Sequence, residues 1–76
     1  MYFVYLLKCE DDSLYCGITT DVERRFQEHL SGIGSNYTRA HKPVEIIYTE
    51  QVTDRSTASK REAEIKKMKR VEKLAL

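Results

Sequence analysis

The chain has 76 residues, of which 41% are hydrophobic and 33% charged, and a formal net charge of +1. This composition is typical of one small globular domain, and it excludes a disordered tail and a second hydrophobic core. The longest apolar run, residues 2–7, is far shorter than the roughly 20 residues that span a bilayer. With no signal-peptide pattern, we expect a cytoplasmic protein without a membrane partner.

The first two elements predict a β-hairpin over residues 2–19. The segment YFVYLLKC is rich in aromatic and β-branched residues, and the polar cluster EDDS separates it from LYCGIT. A three-residue loop, DDS, would place Leu7 opposite Gly17. It would also put Tyr5 and Tyr15 on the same face of the sheet, because side chains alternate along a strand.

Two cysteines, Cys9 and Cys16, fall in these strands. They are too few for a disulfide framework or a complete zinc site. We expect reduced thiols packed as small hydrophobic residues, with a cross-strand disulfide as the alternative.

The segment TDVERRFQEHLSG predicts a short helix. Thr20 can cap its N-terminus, Glu23 can complete a capping box, and Gly32 can end it. Its apolar positions keep helical spacing: Val22, Phe26, Leu30 and Ile33.

Arg25 and His29 lie one turn apart at the edge of this apolar stripe. Arginine can clamp a phosphate through two hydrogen bonds, and histidine can move a proton near neutral pH. The structural alternative is an Arg25 stem lying over the core edge and a His29 that binds a nearby carbonyl. The expected convergence of the pair with Tyr5 and Tyr15 favours a functional site.

The second half of the chain predicts one more strand and one long helix. GIGSNYTRAH is polar, with at most one helical turn, and KPVEIIYTE is a strand whose start is fixed by Pro43. Thr53 or Asp54 can cap a helix that runs to about Arg70, and VEKLAL either continues it or forms a separate turn. The order β-β-α-β-α predicts an α+β fold with helices on a small antiparallel sheet.

Charge is unevenly distributed along the chain. Residues 1–50 carry five Lys/Arg and eight Asp/Glu, a net charge of −3, whereas residues 51–76 carry eight and four, a net charge of +4. A basic C-terminal helix could bind phosphate backbones. The charge pattern alone favours a solvated helix face with i,i+4 pairs such as Glu62–Lys66.

Glu62 lies between Ala58 and Ile65 by helical spacing, within reach of the apolar face of the last helix. Burying a carboxylate is costly unless it is paired or binds a cation. A single carboxylate suits Mg²⁺, which keeps most of its waters and binds one or two carboxylates plus a substrate phosphate. An ion pair with Arg25 or Lys66 is the alternative.

Four motifs, VYLL, LYCG, RRFQEH and KREAEIK, resemble in order and spacing those of the GIY-YIG nuclease superfamily. The string YTRAHKPVEIIY is similar to that of its small stand-alone bacterial members. The resemblance implies a single domain over residues 1–76, with a three-stranded antiparallel sheet flanked by helices. It also implies one divalent metal, Mg²⁺ or Mn²⁺, and hydrolysis of phosphodiester bonds in DNA. The motifs depart from the family pattern at Phe3, where the family has Gly, and at Cys16, where it has Ile.

The resemblance implies roles for individual side chains. Tyr5, helped by His29, would act as general base, and Arg25 would stabilise charge on the phosphate. Because a phenol with a pKa near 10 is a poor base at pH 7, we expect the cation and Arg25 to lower the pKa of Tyr5. The implied catalytic residues are Tyr5, Tyr15, Arg25, His29 and Glu62, the last as metal ligand. The basic residues expected to contact the nucleic acid are Lys60, Lys66, Lys67, Lys69, Arg70 and Arg39.

The favoured hypothesis is a metal-dependent endonuclease that selects DNA, rather than RNA, by structure rather than sequence, in DNA repair or maintenance. Many family nucleases carry an Asn after the glutamate helix, whereas the only Asn here, Asn36, precedes it. One alternative is therefore a non-catalytic nucleic-acid-binding module on the same fold. Another is a structural protein in which Arg25, His29 and Glu62 form an ion-pair cluster. The oligomeric state stays open, and a monomer is compatible with the sequence.

Overall fold

The computed structural model describes residues 1–76 as a three-stranded antiparallel sheet covered by helices. Strand order β2-β1-β3 places β1 in the centre. The predicted α+β class and sheet are confirmed. Two short helices occupy GIGSNYTRAH, where at most one helical turn was expected, and VEKLAL, where a continuation of the last helix or a separate turn was expected. The elements are β1 (Tyr2–Cys9), β2 (Leu14–Thr19), α1 (Val22–Leu30), α2 (Asn36–Ala40), β3 (Pro43–Val52), α3 (Arg55–Lys67) and α4 (Arg70–Leu74).

The β1–β2 turn closes one residue earlier than predicted. The backbone N–H of Cys9 donates to Ser13 O at 2.9 Å, and that of Asp12 donates to Cys9 O at 3.0 Å. These bonds enclose a three-residue loop, EDD, whose last residue, Asp12, has a left-handed φ of 65°. Three-residue hairpin loops commonly end on such a residue, and Asp tolerates this conformation. The loop length was therefore correct and its position wrong.

The strand register differs from the prediction by two residues for this reason. Gly17 pairs with Tyr5 rather than with Leu7, and Leu7 pairs with Tyr15. A shift of two residues preserves the alternation of side chains, so the prediction that Tyr5 and Tyr15 share a face of the sheet is confirmed.

The two faces of the sheet differ in character. On one face β1 and β2 contribute apolar side chains to the core, and α3 packs on them; on the other face α1 and α2 lie over the tyrosines. Both cysteines are buried and reduced, as predicted. The main core cluster consists of Val4, Leu6, Cys16, Ala58 and Ile65.

Helix α1 begins at a different cap from the one predicted. Asp21 caps it, and its carboxylate accepts the backbone N–H of Arg24 at 3.1 Å. Thr20 is exposed and lies one residue too early to reach that donor. An Asp at this position also places a negative charge at the positive end of the helix dipole.

The apolar stripe expected on α1 is wrong at its C-terminal end. Leu30 is 37% exposed and Ile33 70% exposed, whereas His29 is 1% exposed. The helix ends at Leu30, and Gly32, with a φ of +83°, turns the chain so that Ile33 points outward. The side chain that α1 buries against the sheet is therefore an imidazole.

Helix α3 is capped by Asp54, whose carboxylate accepts the N–H of Thr57 at 2.8 Å. It ends at Lys67 rather than near Arg70, because Met68 adopts an extended backbone and packs against the core. None of the helices is long and apolar enough to cross a membrane.

Candidate active site

Tyr5 and Tyr15 project from the face of the sheet that α1 covers, and His29 of α1 lies against both. The ring centroids of Tyr5 and Tyr15 are 6.3 Å apart, and those of Tyr15 and His29 are 5.1 Å apart in an edge-to-face arrangement. The Tyr5 hydroxyl and His29 Nε2 are 2.7 Å apart. Three of the five candidate catalytic residues thus form one cluster, with a direct hydrogen bond between strand and helix.

Gly17 makes room for the Tyr5 ring. A Cβ built on Gly17 would lie 2.4 Å from the Tyr5 hydroxyl oxygen and 2.6 Å from Cζ. Because Gly17 has no side chain, the ring of Tyr5 can lie across β2 and reach His29. The glycine of the second motif is therefore explained by the space that the first tyrosine needs.

Arg25 lies beside this cluster and is held by two hydrogen bonds. Its Nη1 donates to Glu28 Oε1 at 2.8 Å, and its Nη2 donates to the Gly34 carbonyl at 2.7 Å. The side chain is half-buried, with 31% of it exposed. A guanidinium has five N–H donors, so a fixed Arg25 retains donors for an anionic ligand.

The far side of the His29 ring contacts α2 and the loop that precedes it. His29 Nδ1 lies 2.7 Å from Thr38 Oγ1, and the Thr38 side chain is buried. A Cβ on Gly34 would lie 2.1 Å from His29 Nδ1. The sequence analysis missed both Gly34 and Thr38. The spacing of Ser35 and Thr38 marks a helix cap, but no local pattern indicates a contact with His29.

Burial sets the protonation states of Tyr5 and His29. It raises the pKa of Tyr5 to about 12, and the nearby Arg25 guanidinium opposes this shift only in part. Burial and, second, the charge of Arg25 lower the pKa of His29 below its usual value. Arg25 lowers the pKa of Tyr5, as expected, but burial outweighs this effect in the protein without a cation. At neutral pH Tyr5 keeps its proton and His29 is uncharged.

Glu62 stands apart from this cluster. It lies on α3, which packs on the other face of the sheet, and its side chain is 24% exposed. Its carboxylate pairs with Lys66 Nζ at 3.5 Å and forms no hydrogen bond with the tyrosines or His29. After burial, the charge of Glu62 is the next cause that raises the pKa of Cys16, to about 11. The carboxylate is therefore close to the edge strand β2.

The family model of the GIY-YIG catalytic domain matches residues 1–75. The chain belongs to the GIY-YIG family. It is 49% identical to a UPF0213 protein of Natronomonas pharaonis, over 95% of this chain and 85% of the relative. It is also 49% identical to a UPF0213 protein of Syntrophus aciditrophicus, over 97% of this chain and 86% of the relative. These names state no activity.

A solved structure supports the same assignment. The solution NMR structure of a UPF0213 protein from Bacillus halodurans is 40% identical to this chain, with a TM-score of 0.58. The match covers 96% of this chain and 79% of that structure. GIY-YIG domains form a nuclease superfamily that acts on nucleic acid and generally uses divalent metals.

The basic residues expected to contact nucleic acid differ in their surroundings. Lys60 and Lys67 each follow a core-facing residue of α3 by two positions, roughly 200° around the helix, and so point away from the sheet. Lys66 lies beside Glu62. Lys69 is exposed, Arg70 donates to the Asp12 carbonyl, and Arg39 Nε donates to the Gly32 carbonyl at 3.2 Å.

A row of aromatic rings extends from the cluster of Tyr5, Tyr15 and His29 onto α2. The sequence analysis did not predict it. Tyr37 stacks on Tyr15 with centroids 5.6 Å apart and on His41 with centroids 4.3 Å apart. His41 Nδ1 bonds to the carboxylate of Asp11. Helix α2 therefore contacts the site twice, through Thr38 and through Tyr37.

The low pKa of His29 predicts how stability depends on pH. The folded protein binds a proton at His29 less readily than the unfolded chain does. The contribution of neutral His29 to the free energy of unfolding is therefore complete above its unfolded pKa of roughly 6.5, and it is lost as the pH falls through its pKa in the folded protein. We expect the Tm to decrease from about pH 7.5 to about pH 5, and to decrease less in His29→Gln. Parallel curves for wild type and His29→Gln would contradict the assignment.

Proposed function

We propose that this GIY-YIG domain is an endonuclease that hydrolyses phosphodiester bonds in DNA and takes part in DNA repair or maintenance. One observation carries the proposal: the 2.7 Å contact between the Tyr5 hydroxyl and the neutral, buried His29, with a fixed Arg25 beside it. A proton acceptor next to a preorganised cation is what phosphodiester hydrolysis requires. Recognition through the phosphate backbone supports selection by DNA structure rather than by sequence.

The high pKa of Tyr5 determines how it would act as a base. As a water oxygen attacks phosphorus, Tyr5 Oη takes a proton from the water and passes its own proton to His29 Nε2. No free tyrosinate forms in advance, because the pKa values of the two groups keep the proton on Tyr5 in the resting protein. The new P–O bond forms as the bond to the leaving oxygen breaks, and that oxygen takes a proton from solvent.

Arg25 and Tyr15 would act on the phosphate itself. The remaining N–H donors of Arg25 would bind the phosphoryl oxygens, where charge accumulates in the transition state. Tyr15 would donate its hydroxyl proton to a phosphate oxygen. The contacts of Arg25 with Glu28 and Gly34 mean that little reorganisation is needed when the substrate binds.

The residues fit a weakly held divalent ion rather than a closed metal site. No three His, Cys, Asp or Glu side chains lie close enough together to enclose a metal. One half-buried carboxylate, Glu62, suits Mg²⁺ or Mn²⁺ that also binds water and a substrate phosphate. Because Glu62 is close to the edge strand β2, which also carries Tyr15, an ion bound there would neutralise charge on a phosphate and leaving oxygen that lie at that edge.

Cleavage of labelled branched, nicked and single-stranded DNA with Mg²⁺ or Mn²⁺ tests the proposal. We expect cleavage that EDTA abolishes and that Glu62→Ala reduces by about 100-fold or more, because the metal ligand is lost. Glu64→Ala is the matched control, since Glu64 lies on the exposed side of the same helix and should retain activity. Cleavage that survives both EDTA and Glu62→Ala would rule out the metal-dependent mechanism.

The second candidate function is a nucleic-acid-binding module without catalysis. The separation of Glu62 from the tyrosine–histidine cluster, and its ion pair with Lys66, favour it. It predicts DNA binding that weakens steeply with salt and no cleavage of any substrate with either metal.

A further inference from the structure

Thr38 is a buried side chain that hydrogen-bonds His29 and has no part in the mechanism above. We propose that Thr38 is a positioning residue that holds His29 in the tautomer with its proton on Nδ1, so that Nε2 is free to accept the proton of Tyr5. The catalytic consequence rests on the proposed nuclease function, whereas the tautomer itself does not.

The Thr38 hydroxyl lies between His29 and the cap of α2. Ser35 caps this helix, and its side-chain oxygen accepts the backbone N–H of Thr38 at 3.1 Å. The Thr38 hydroxyl also lies close to two oxygens of Ser35, the carbonyl at 3.3 Å and the side-chain Oγ at 3.0 Å. A hydroxyl that donates to either of these oxygens presents a lone pair elsewhere, and Thr38 Oγ1 lies 2.7 Å from His29 Nδ1. The cap of α2 therefore allows Thr38 to accept a hydrogen bond from Nδ1–H.

A count of donors and acceptors selects the tautomer with the proton on Nδ1. With the proton on Nδ1, His29 donates to Thr38, and Nε2 accepts the Tyr5 O–H at 2.7 Å. Every buried polar side-chain atom then has a partner. With the proton on Nε2, that nitrogen donates to Tyr5, and the Tyr5 O–H, which has no other acceptor, is buried unpaired. Buried donors are rarely left unpaired.

The proposed relay needs this tautomer. Only an Nε2 that carries a lone pair can receive the Tyr5 proton, and the product is an imidazolium whose Nδ1–H still donates to Thr38. A histidine base held in the wrong tautomer loses most of its contribution to the rate. Thr38 touches neither substrate nor reacting atoms, so its effect on catalysis is indirect.

Thr38→Val removes the acceptor at nearly constant volume, and Thr38→Ser keeps it. ¹⁵N NMR of the histidine ring in the full-length protein reports which nitrogen carries the proton. We expect Nδ1–H in the wild type and in Thr38→Ser, and loss of that signature in Thr38→Val. With a cleavable DNA, Thr38→Val should lower kcat by about 100-fold at nearly unchanged KM, and Thr38→Ser should restore most of it. Thr20→Val, at an exposed threonine, should match the wild type.

The NMR measurement of the tautomer and the cleavage assay distinguish a failure of the Thr38 proposal from a failure of the proposed nuclease function. A wild-type His29 protonated at Nε2, or a Thr38→Val protein that keeps Nδ1–H and full kcat, would overturn the proposal. If Thr38→Val does not fold, the NMR spectra of the wild type and Thr38→Ser still decide the tautomer. If the wild-type protein cleaves no DNA, the nuclease function fails, while Nδ1–H in the wild type and its retention in Thr38→Ser still support the role of Thr38.

Discussion

Gly34→Ala is expected to remove most of the cleavage activity and to destabilise the fold. Its Cβ would lie 2.1 Å from His29 Nδ1 and 2.7 Å from both Cγ and Cε1. The ring cannot move aside without loss, because it is buried and hydrogen-bonded at both nitrogens, to Tyr5 and Thr38. Overpacking of this kind costs about 1–3 kcal/mol. Urea unfolding and kcat, measured on the same preparation, test both effects.

Gly32→Ala is the matched control in the same loop. Gly32 has a φ of +83°, and no atom lies within 4 Å of the position a Cβ would take. Alanine there costs backbone strain of roughly 1–2 kcal/mol without touching His29. We therefore expect Gly32→Ala to lower stability by a similar amount and to keep kcat. Equal retention of kcat in both variants would show that the position of the His29 ring does not limit the reaction.

The local part of the site was predictable from the sequence. Strand alternation places Tyr5 and Tyr15 on one face for any odd loop, so the prediction survived a loop placed one residue too late. The i,i+4 spacing of Arg25 and His29 puts them on one helix face whatever the cap. Both inferences depend on the period of the element and not on its boundaries.

The remainder depends on contacts between distant segments. His29, predicted at the edge of the apolar stripe of α1, is fully buried, and its burial becomes favourable only because Tyr5 and Thr38 bind both nitrogens. Nothing in the spacing of GIGSNYT indicates that Gly34 packs against that ring. The raised pKa of Tyr5 has the same origin, because desolvation depends on how closely α1 covers the sheet.

Arg25→Ala is expected to lower kcat by about 100- to 1,000-fold and to change KM little. The guanidinium would bind charge that develops on the phosphoryl oxygens, so its loss affects the transition state more than the bound substrate. A small loss of stability should accompany it, since the half-exposed contacts with Glu28 and Gly34 disappear. Arg25→Lys keeps the charge but cannot reproduce the bidentate contact, so its kcat should lie between those of the wild type and Arg25→Ala. Steady-state kinetics on one DNA substrate measure the changes in kcat and KM separately.

Arg24→Ala provides the control for the loss of a positive charge, because Arg24 is the adjacent residue, is exposed and forms no ion pair. It should weaken DNA binding slightly, more at low salt, and leave kcat unchanged. If Arg25→Ala behaved like Arg24→Ala, with a higher KM and the same kcat, Arg25 would be a phosphate contact that contributes to binding only. The fixed position of its guanidinium beside Tyr5 and His29 predicts the opposite.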